Sequence, residues 1–451
     1  MQMTNKFFDR FKKMSSNDKI VLKNVLGAFL VKGGALFVSL YTLPAYIKFF
    51  NNDIVLGLWY TILSLLNWIL NFDLGIGNGL RNHLATSLSV DNKDDTKKYI
   101  SSAYFSIGVI VLIASIVFPI VGKYINFNVV FNILESDVSP NSLYKSVVIV
   151  FVGVMIQFWL KLINNVLYSL QKSSINNFLV LCTNIIILIS TLIIPSGDND
   201  KNVLVMSIVH AIAVAVPLII ATIIVFTGQL KYAKPKLSCV TKKHTLEVLS
   251  LGGIFFLVQI AYMLIMSTNE FLITRTSGNE YVVGYQAYYK LFSLGSTIFA
   301  LALTPIWSVI TKAKAENNNT WIEKTYKKFM LLALIFCVGE VFIVVIMRPL
   351  MNVWLGKDNV PVINIFTGLL FAILGCEMMI NSVLSSIANG LGKLKDQAIC
   401  FFIGALLKIP LSYLLVKIMN SWNGVVLANV ICMGIYCVVQ PITIKKIIYN
   451  N

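Results

Sequence analysis

Apolar residues in this chain run in long blocks and do not alternate with polar ones. The blocks fall at 22–47, 54–80, 100–122, 144–168, 177–196, 203–227, 248–274, 282–311, 329–347, 361–388, 397–418 and 424–444. A helix of about 20 residues crosses a hydrocarbon layer about 30 Å thick. Lipid offers no partner to open backbone groups, so each block is predicted to be a helix. The longest connections lie near 81–99, 123–143, 228–247 and 312–328, too short for a separate domain to fold in them. The expected fold class is all-α integral membrane, with 12 transmembrane helices.

The segment Asn52-Asp53-Ile54-Val55-Leu56-Gly57 opens the second block, and Asn279-Glu280-Tyr281-Val282-Val283-Gly284 opens the eighth, 227 residues later. Six spans in each half share the same in–out sense, as a parallel duplication requires. The expected organisation is a six-helix lobe at 1–227, an inter-lobe loop at 228–247 and a second six-helix lobe at 248–451.

Inside the blocks, the informative residues are the polar ones. Tyr60, Ser64, Asn67, Asn71, Asn78 and Arg81 stay within one sector of the second helix, at about 100° per residue. Gln286, Lys290, Ser293, Thr297, Thr304, Ser308 and Thr311 do the same on the eighth. Gln157, Lys161, Asn164, Tyr168 and Lys172 line up on the fourth, and Gln259, Met266, Glu270 and Thr274 on the seventh. Single Ser, Thr or Asn residues serve as interhelical bonds worth about 0.6 kcal/mol. Whole stripes that include a lysine fit the wall of a wet cavity better, because an ionisable group at mid-bilayer costs about 2.5–3.5 kcal/mol. Lys32 and Lys290 lie deepest, Lys32 being nine residues beyond Lys23. Lys161 lies nearer an end, and Lys408, before Pro410, fits a local structural role equally well. Of the acidic groups, Glu270 shares a stripe and is the leading candidate for ion coupling, with Asp73 and Glu377 behind it.

Composition supports this picture. The chain is 57% hydrophobic and 13% charged, against about 25% charged in soluble domains. Its net charge of +17 is spread over short loops, so nucleic acid is not an expected partner. Twenty-five Lys and Arg fall on the side holding both termini and eight on the other, which makes the first side cytoplasmic. Both termini are therefore expected in the cytoplasm and the chain in a bacterial inner membrane. The charged first 20 residues precede a long apolar run, which is expected to be an anchor and not a cleavable signal. Seven cysteines and three scattered histidines show no metal spacing and no triad, and no metal or catalytic residue is expected.

Asn71-Phe72-Asp73-Leu74-Gly75-Ile76-Gly77-Asn78-Gly79-Leu80-Arg81-Asn82 closes the second block. It resembles the signature of bacterial O-antigen flippases of the Wzx type, in the superfamily that includes MATE transporters and the lipid II flippase. The resemblance extends to length, span number, halves and short loops, although the lipid II flippase generally has two further helices. It implies a MATE-like fold with a basic central cavity, where Lys32, Asn67, Asn71, Asn78, Arg81, Lys161, Gln286 and Lys290 would meet substrate. It also implies translocation of an undecaprenyl-diphosphate-linked oligosaccharide from the cytoplasmic to the periplasmic leaflet. Lys32 and Lys290 match the helices that carry such cations in the lipid II flippase. The implied partners are the lipid-linked glycan, membrane lipid, and the polymerase and chain-length machinery. No cofactor is implied, and proton or sodium coupling stays open. A cation or drug antiporter of the MATE type and a lipid II-type flippase remain alternatives, as does a non-transport scaffold, which would not need the stripes.

Overall fold

A computed structural model describes residues 16–71, 76–170, 172–249, 253–303, 318–391 and 395–449, with a few positions between 304 and 317. Asp73, Thr304, Ser308 and Thr311 lie outside the described residues, as do the side chains of Asn71 and Asn78. All regular structure in the described residues is helical. The elements are α1 (Ser16–Phe50), α2 (Asp53–Asn71), α3 (Ile76–Ser89), α4 (Lys93–Gly122), α5 (Phe127–Val130), α6 (Pro140–Leu160), α7 (Leu162–Ser169), α8 (Ser173–Ile193) and α9 (Asn199–Thr227). They continue as α10 (Lys242–Leu249), α11 (Gly253–Met266), α12 (Asn269–Thr276), α13 (Glu280–Leu303), α14 (Asn319–Leu355), α15 (Ile365–Gly390), α16 (Lys395–Met419) and α17 (Asn423–Tyr449).

Local chemistry sets several helix starts. The side chains of Asn92, Ser139, Asp198, Asn318 and Asn364 accept from the first backbone N–H groups of α4, α6, α9, α14 and α15. Such caps contribute about 1 kcal/mol each. Gly356 ends α14 at φ 83°, a conformation that favours glycine. Leu112, Val345 and Val353 stand 61%, 76% and 89% exposed, which suits a surface solvated by lipid.

Ten helices among the described residues are long and apolar enough to cross a membrane. The seventh and eighth expected spans are not among them. The seventh breaks at Ser267–Thr268 into α11 and α12, and the eighth, α13, carries Gln286, Lys290 and several hydroxyls. The fourth span likewise breaks, at Lys161, into α6 and α7.

In the first half α1 packs on α8, α8 on α9, α9 on α6, and α6 on α2 and α4. In the second, α11 packs on α16, α16 on α17, and α15 on α17, α14 and α13. Between the halves, α2 lies against α12 and α13.

The connection near 228–247 is more ordered than its sequence implies. It forms two short 3-10 turns and α10, which pack on α3 and α4. The Tyr99 hydroxyl donates to Glu247 Oε2 at 2.7 Å, and His83 stacks on the Tyr99 ring at 4.6 Å. His244 Nε2 lies 3.4 Å from Asp95 Oδ1, and the backbone N–H of Lys236 donates to the buried Ser101 hydroxyl. The connection is therefore a part of the first half.

The Tyr99 hydrogen bond, helped by Lys243 and His244, holds the Glu247 carboxyl below the usual glutamate range. A depressed carboxylate pKa contributes stability above the unfolded value, and that stability is lost as pH falls through the folded value. Protection of the amides in 242–249, taken relative to their intrinsic exchange rates at each pH, should therefore fall as pH drops through the acid range. Tyr99→Phe should move the onset up, towards the ordinary glutamate value of about 4.3. Hydrogen-exchange mass spectrometry against pH checks this, and the same onset in both proteins would remove Tyr99 as the cause.

Candidate functional site

The halves meet where α2 can come close to the α12–α13 junction. Gly57 makes that approach feasible, because an added Cβ would sit 1.8 Å from the Asn279 carbonyl oxygen. Asn279 is buried and donates to the carbonyls of Phe131 and Asn132 at 3.0 and 2.8 Å. The Thr61 and Thr274 hydroxyls bond at 2.8 Å, and Thr274 donates to Asn279 Oδ1 at 3.0 Å. The two similar segments read from the sequence thus open α2 and α13, and one touches the other.

One turn further along α2, Ser64 Oγ lies 3.0 Å from the Ser267 carbonyl and 2.8 Å from Glu270 Oε2. Trp68 Nε1 donates to the same Ser267 carbonyl at 2.8 Å. These bonds close one side of a cavity of about 300 Å³, whose polar lining includes Ser64, Asn67, Trp68, Glu270, Gln286 and Lys290. Gln286 Nε2 donates to Glu270 Oε1 at 2.8 Å. Lys290 Nζ donates to the Ser39 carbonyl of α1 at 2.9 Å.

Asn67, Gln286, Lys290 and Glu270 therefore share one cavity. Lys32 lines a neighbouring one of about 300 Å³ with Ser39, Asn177, Asn184 and Thr297. Ser39 belongs to that wall while its carbonyl holds Lys290, so the lysines flank one stretch of α1. Lys161 turns away from both cavities and donates to the Leu70 carbonyl at 3.2 Å, tying the α6–α7 break to the end of α2. Arg81 is exposed, with its guanidinium 4.8 Å over the Tyr168 ring. Glu377 lies elsewhere in the second half, against Gly434 of α17, and its Oε2 has no hydrogen-bond partner among the described residues. Gln259, placed on the Glu270 face by a continuous helix, is exposed on α11. The break at Ser267–Thr268 resets the helical phase.

Asn269 escaped the sequence reading, in which a local structural role for Lys408 is one of two equal possibilities. Asn269 is buried and donates to the Tyr285 hydroxyl at 2.9 Å. Lys408 is fully buried, and its Nζ donates to Asn269 Oδ1 at 2.8 Å and to the Val425 carbonyl at 2.9 Å. A lone lysine in an apolar helix was the signal for Lys408, but its partners come from elements far along the chain.

A family model described as polysaccharide biosynthesis protein matches residues 57–310. A protein of Yersinia pseudotuberculosis assigned to O-antigen export is 23% identical over 345 residues, covering 75% of this chain and 76% of its own. An inward-facing multidrug resistance MATE family transporter of the MOP superfamily superposes with a TM-score of 0.75 at 13% identity, covering 92% of this chain and 98% of that one. An outward-facing MATE family structure gives 0.65 at 13% identity, covering 95% and 97%. A MOP superfamily transporter from Pyrococcus furiosus, described as having a binding pocket of reverse polarity, gives 0.65 at 14% identity, covering 94% and 96%. The fold is that of MATE transporters.

The contact at Gly57 predicts an asymmetry between the two similar segments. Gly57→Ala should lower the thermal midpoint of the purified protein, since forced overpacking costs about 1–3 kcal/mol. Gly284→Ala should leave it near wild type, because its Cβ would meet only Pro361 at an ordinary 3.6 Å. Equal midpoints for the two variants would contradict the close approach of α2 to Asn279.

Proposed function

Because the chain belongs to the polysaccharide biosynthesis protein family, we propose that it is a flippase for an undecaprenyl-diphosphate-linked oligosaccharide such as an O-antigen repeat unit. The observation that carries this is the cavity between the halves, where Lys290 stands with the amides of Asn67 and Gln286 and the hydroxyl of Ser64. A diphosphate entering a low-dielectric site needs cations, and sugar hydroxyls need amide and hydroxyl partners. At an effective dielectric of about 20, a unit charge about 4 Å from a lysine gains or loses about 4 kcal/mol according to its sign. A cationic drug would meet repulsion from Lys290 and would depend on Glu270 alone. The O-antigen export assignment of the Yersinia relative supports the same substrate class. Lys32, in the adjoining cavity, extends the basic path along α1, and Arg81 stands at the end of the stripe where the phosphate would enter. The polyprenyl tail stays in lipid while one lobe rocks against the other, and the polymerase and chain-length machinery receive the product.

The orientation proposed is inner membrane with both termini cytoplasmic. The bonds at Gly57, Thr61 and Thr274 then close the periplasmic end. The greater likeness to the inward-facing MATE structure than to the outward-facing one supports that reading. Cysteines introduced at Asp200, Lys357 and Trp422 in a cysteine-free chain should react with an impermeant reagent in whole cells, whereas Lys93→Cys should not. The reverse pattern would invert the topology.

Lys290→Ala and Lys32→Ala should each lower surface glycan at least tenfold at native expression and accumulate undecaprenyl-linked repeat units, while the protein still inserts. Mass analysis of extracted lipid-linked intermediates reads this directly. Accumulation of lipid II instead would identify a lipid II-type flippase. Normal intermediates with reduced efflux of a cationic dye would favour the antiporter.

A further inference from the structure

Away from the contact between the halves, the first half carries a cavity of a different kind. It measures about 520 Å³ and lies between α4, α6, α9 and the connection at 228–247. Neither α2 nor any element of the second half contributes to its lining. Tyr104, Trp159 and Phe226 form its floor, with Trp159 and Phe226 edge-on to Tyr104 at centroid distances of 6.2 and 5.8 Å. The Trp159 ring is fixed in place, because its Nε1 donates to the Tyr104 carbonyl at 2.9 Å. Gly108 leaves room for that ring, since an added Cβ would sit 3.3 Å from the same nitrogen. Phe105, Val109 and Leu112 line the cavity further along α4 and stand exposed, so it opens on the lipid-facing surface.

The other end of this cavity is basic. Pro235, Lys236 and Leu237 cover it, held there by the bond from the Lys236 backbone N–H to the buried Ser101 hydroxyl at 3.1 Å. Lys236 is the one charged residue of the lining among the described residues, and it is exposed. Residues 228–241 carry Lys231, Lys234 and Lys236 and no Asp or Glu. From Ser101 to Leu112 the helix advances about 16 Å, so the cationic end and the apolar end are well separated. We propose that this is a binding site for an anionic membrane phospholipid, with an acyl chain along α4 and the headgroup at Lys236. Water is a poor occupant of so apolar a lining, which offers it few hydrogen-bond partners. Lysines beside the membrane attract anionic headgroups, and on the proposed orientation this end faces the cytoplasmic leaflet. The polyprenyl tail of the proposed substrate fits less well. Its diphosphate belongs with Lys290 between the halves, whereas this cavity is built by the first half alone. A lipid held here touches α4 and the connection together and so pins the connection to its lobe.

The test needs no glycan and no transport, so it stands or falls apart from the flippase reading. Native mass spectrometry is run on the purified full-length protein with dioleoyl phosphatidylglycerol and dioleoyl phosphatidylethanolamine at equal concentration. The first lipid retained by wild type should be phosphatidylglycerol, preferred about fivefold, the order expected of one lysine beside an anionic headgroup. Lys236→Gln should abolish that preference and leave phosphatidylethanolamine binding as it was. The change is to an exposed side chain, and the backbone bond to Ser101 stays. Val109→Trp fills the cavity from an exposed position and should lower retention of both lipids about tenfold, the effect of excluding about two CH2 groups from an apolar site. Lys395→Gln, on α16 of the other half, should bind like wild type. Equal retention of the two lipids by wild type would overturn the proposal, as would an unchanged preference in Lys236→Gln or an equal loss in Lys395→Gln. Displacement of phosphatidylglycerol by undecaprenyl phosphate at equal concentration would also overturn it and assign the cavity to the substrate tail. Should Val109→Trp fail to fold, the comparison of Lys236→Gln with Lys395→Gln decides alone.

Discussion

The Ser267 carbonyl is the point on which the arrangement of the two halves turns. It becomes available where the seventh span breaks, and two donors of α2 reach it from the other half. In lipid an unsatisfied backbone group costs several kcal/mol, so the break persists only where another element supplies donors. Ser64 and Trp68 supply them, and the same approach brings Ser64 to Glu270. Gly57 and Asn279, further along, keep the two backbones close enough for this to happen.

Bonds of this kind are individually weak. Polar contacts between membrane helices average about 0.6 kcal/mol each. A handful at one end of the interface amounts to a few kcal/mol, which thermal motion and a bound substrate can overcome. The hydrophobic packing within each half, α16 on α17 or α6 on α9, has no comparable alternation of partners. The two packed halves are thus joined by a small set of polar contacts, of the kind that the proposed rocking of one lobe on the other would have to break.

Charge is arranged around that contact in an uneven way. Lys290 reaches from α13 to a carbonyl of α1, so it too spans the halves. Trp354 of α14 reaches the neighbouring Leu40 carbonyl. Both act on the stretch of α1 that follows Lys32. A movement of one half would therefore change the surroundings of both deep lysines together, and under the proposed flippase function these are the cations offered to an anionic substrate.

The sequence alone determined that the chain is a bundle of membrane helices, because long apolar blocks have no other stable form in lipid. It also marked the polar faces of α2 and α13, since side chains at helical spacing share a side whatever surrounds them. Asn67, Gln286, Lys290 and Glu270 were legible for that reason. Tertiary structure alone decided which face meets which. Lys161 shares a stripe yet serves the end of α2, because a break in its helix turns it. Gln259 loses the Glu270 face to another break, which periodicity assumes away. Lys408 finds Asn269 and Val425 only after α12, α16 and α17 have packed, and no local pattern encodes a contact between residues 139 positions apart. The inter-lobe connection looked like a loop because its hold on the first half comes from Tyr99, Asp95 and Ser101, whose partners become neighbours only in the folded chain.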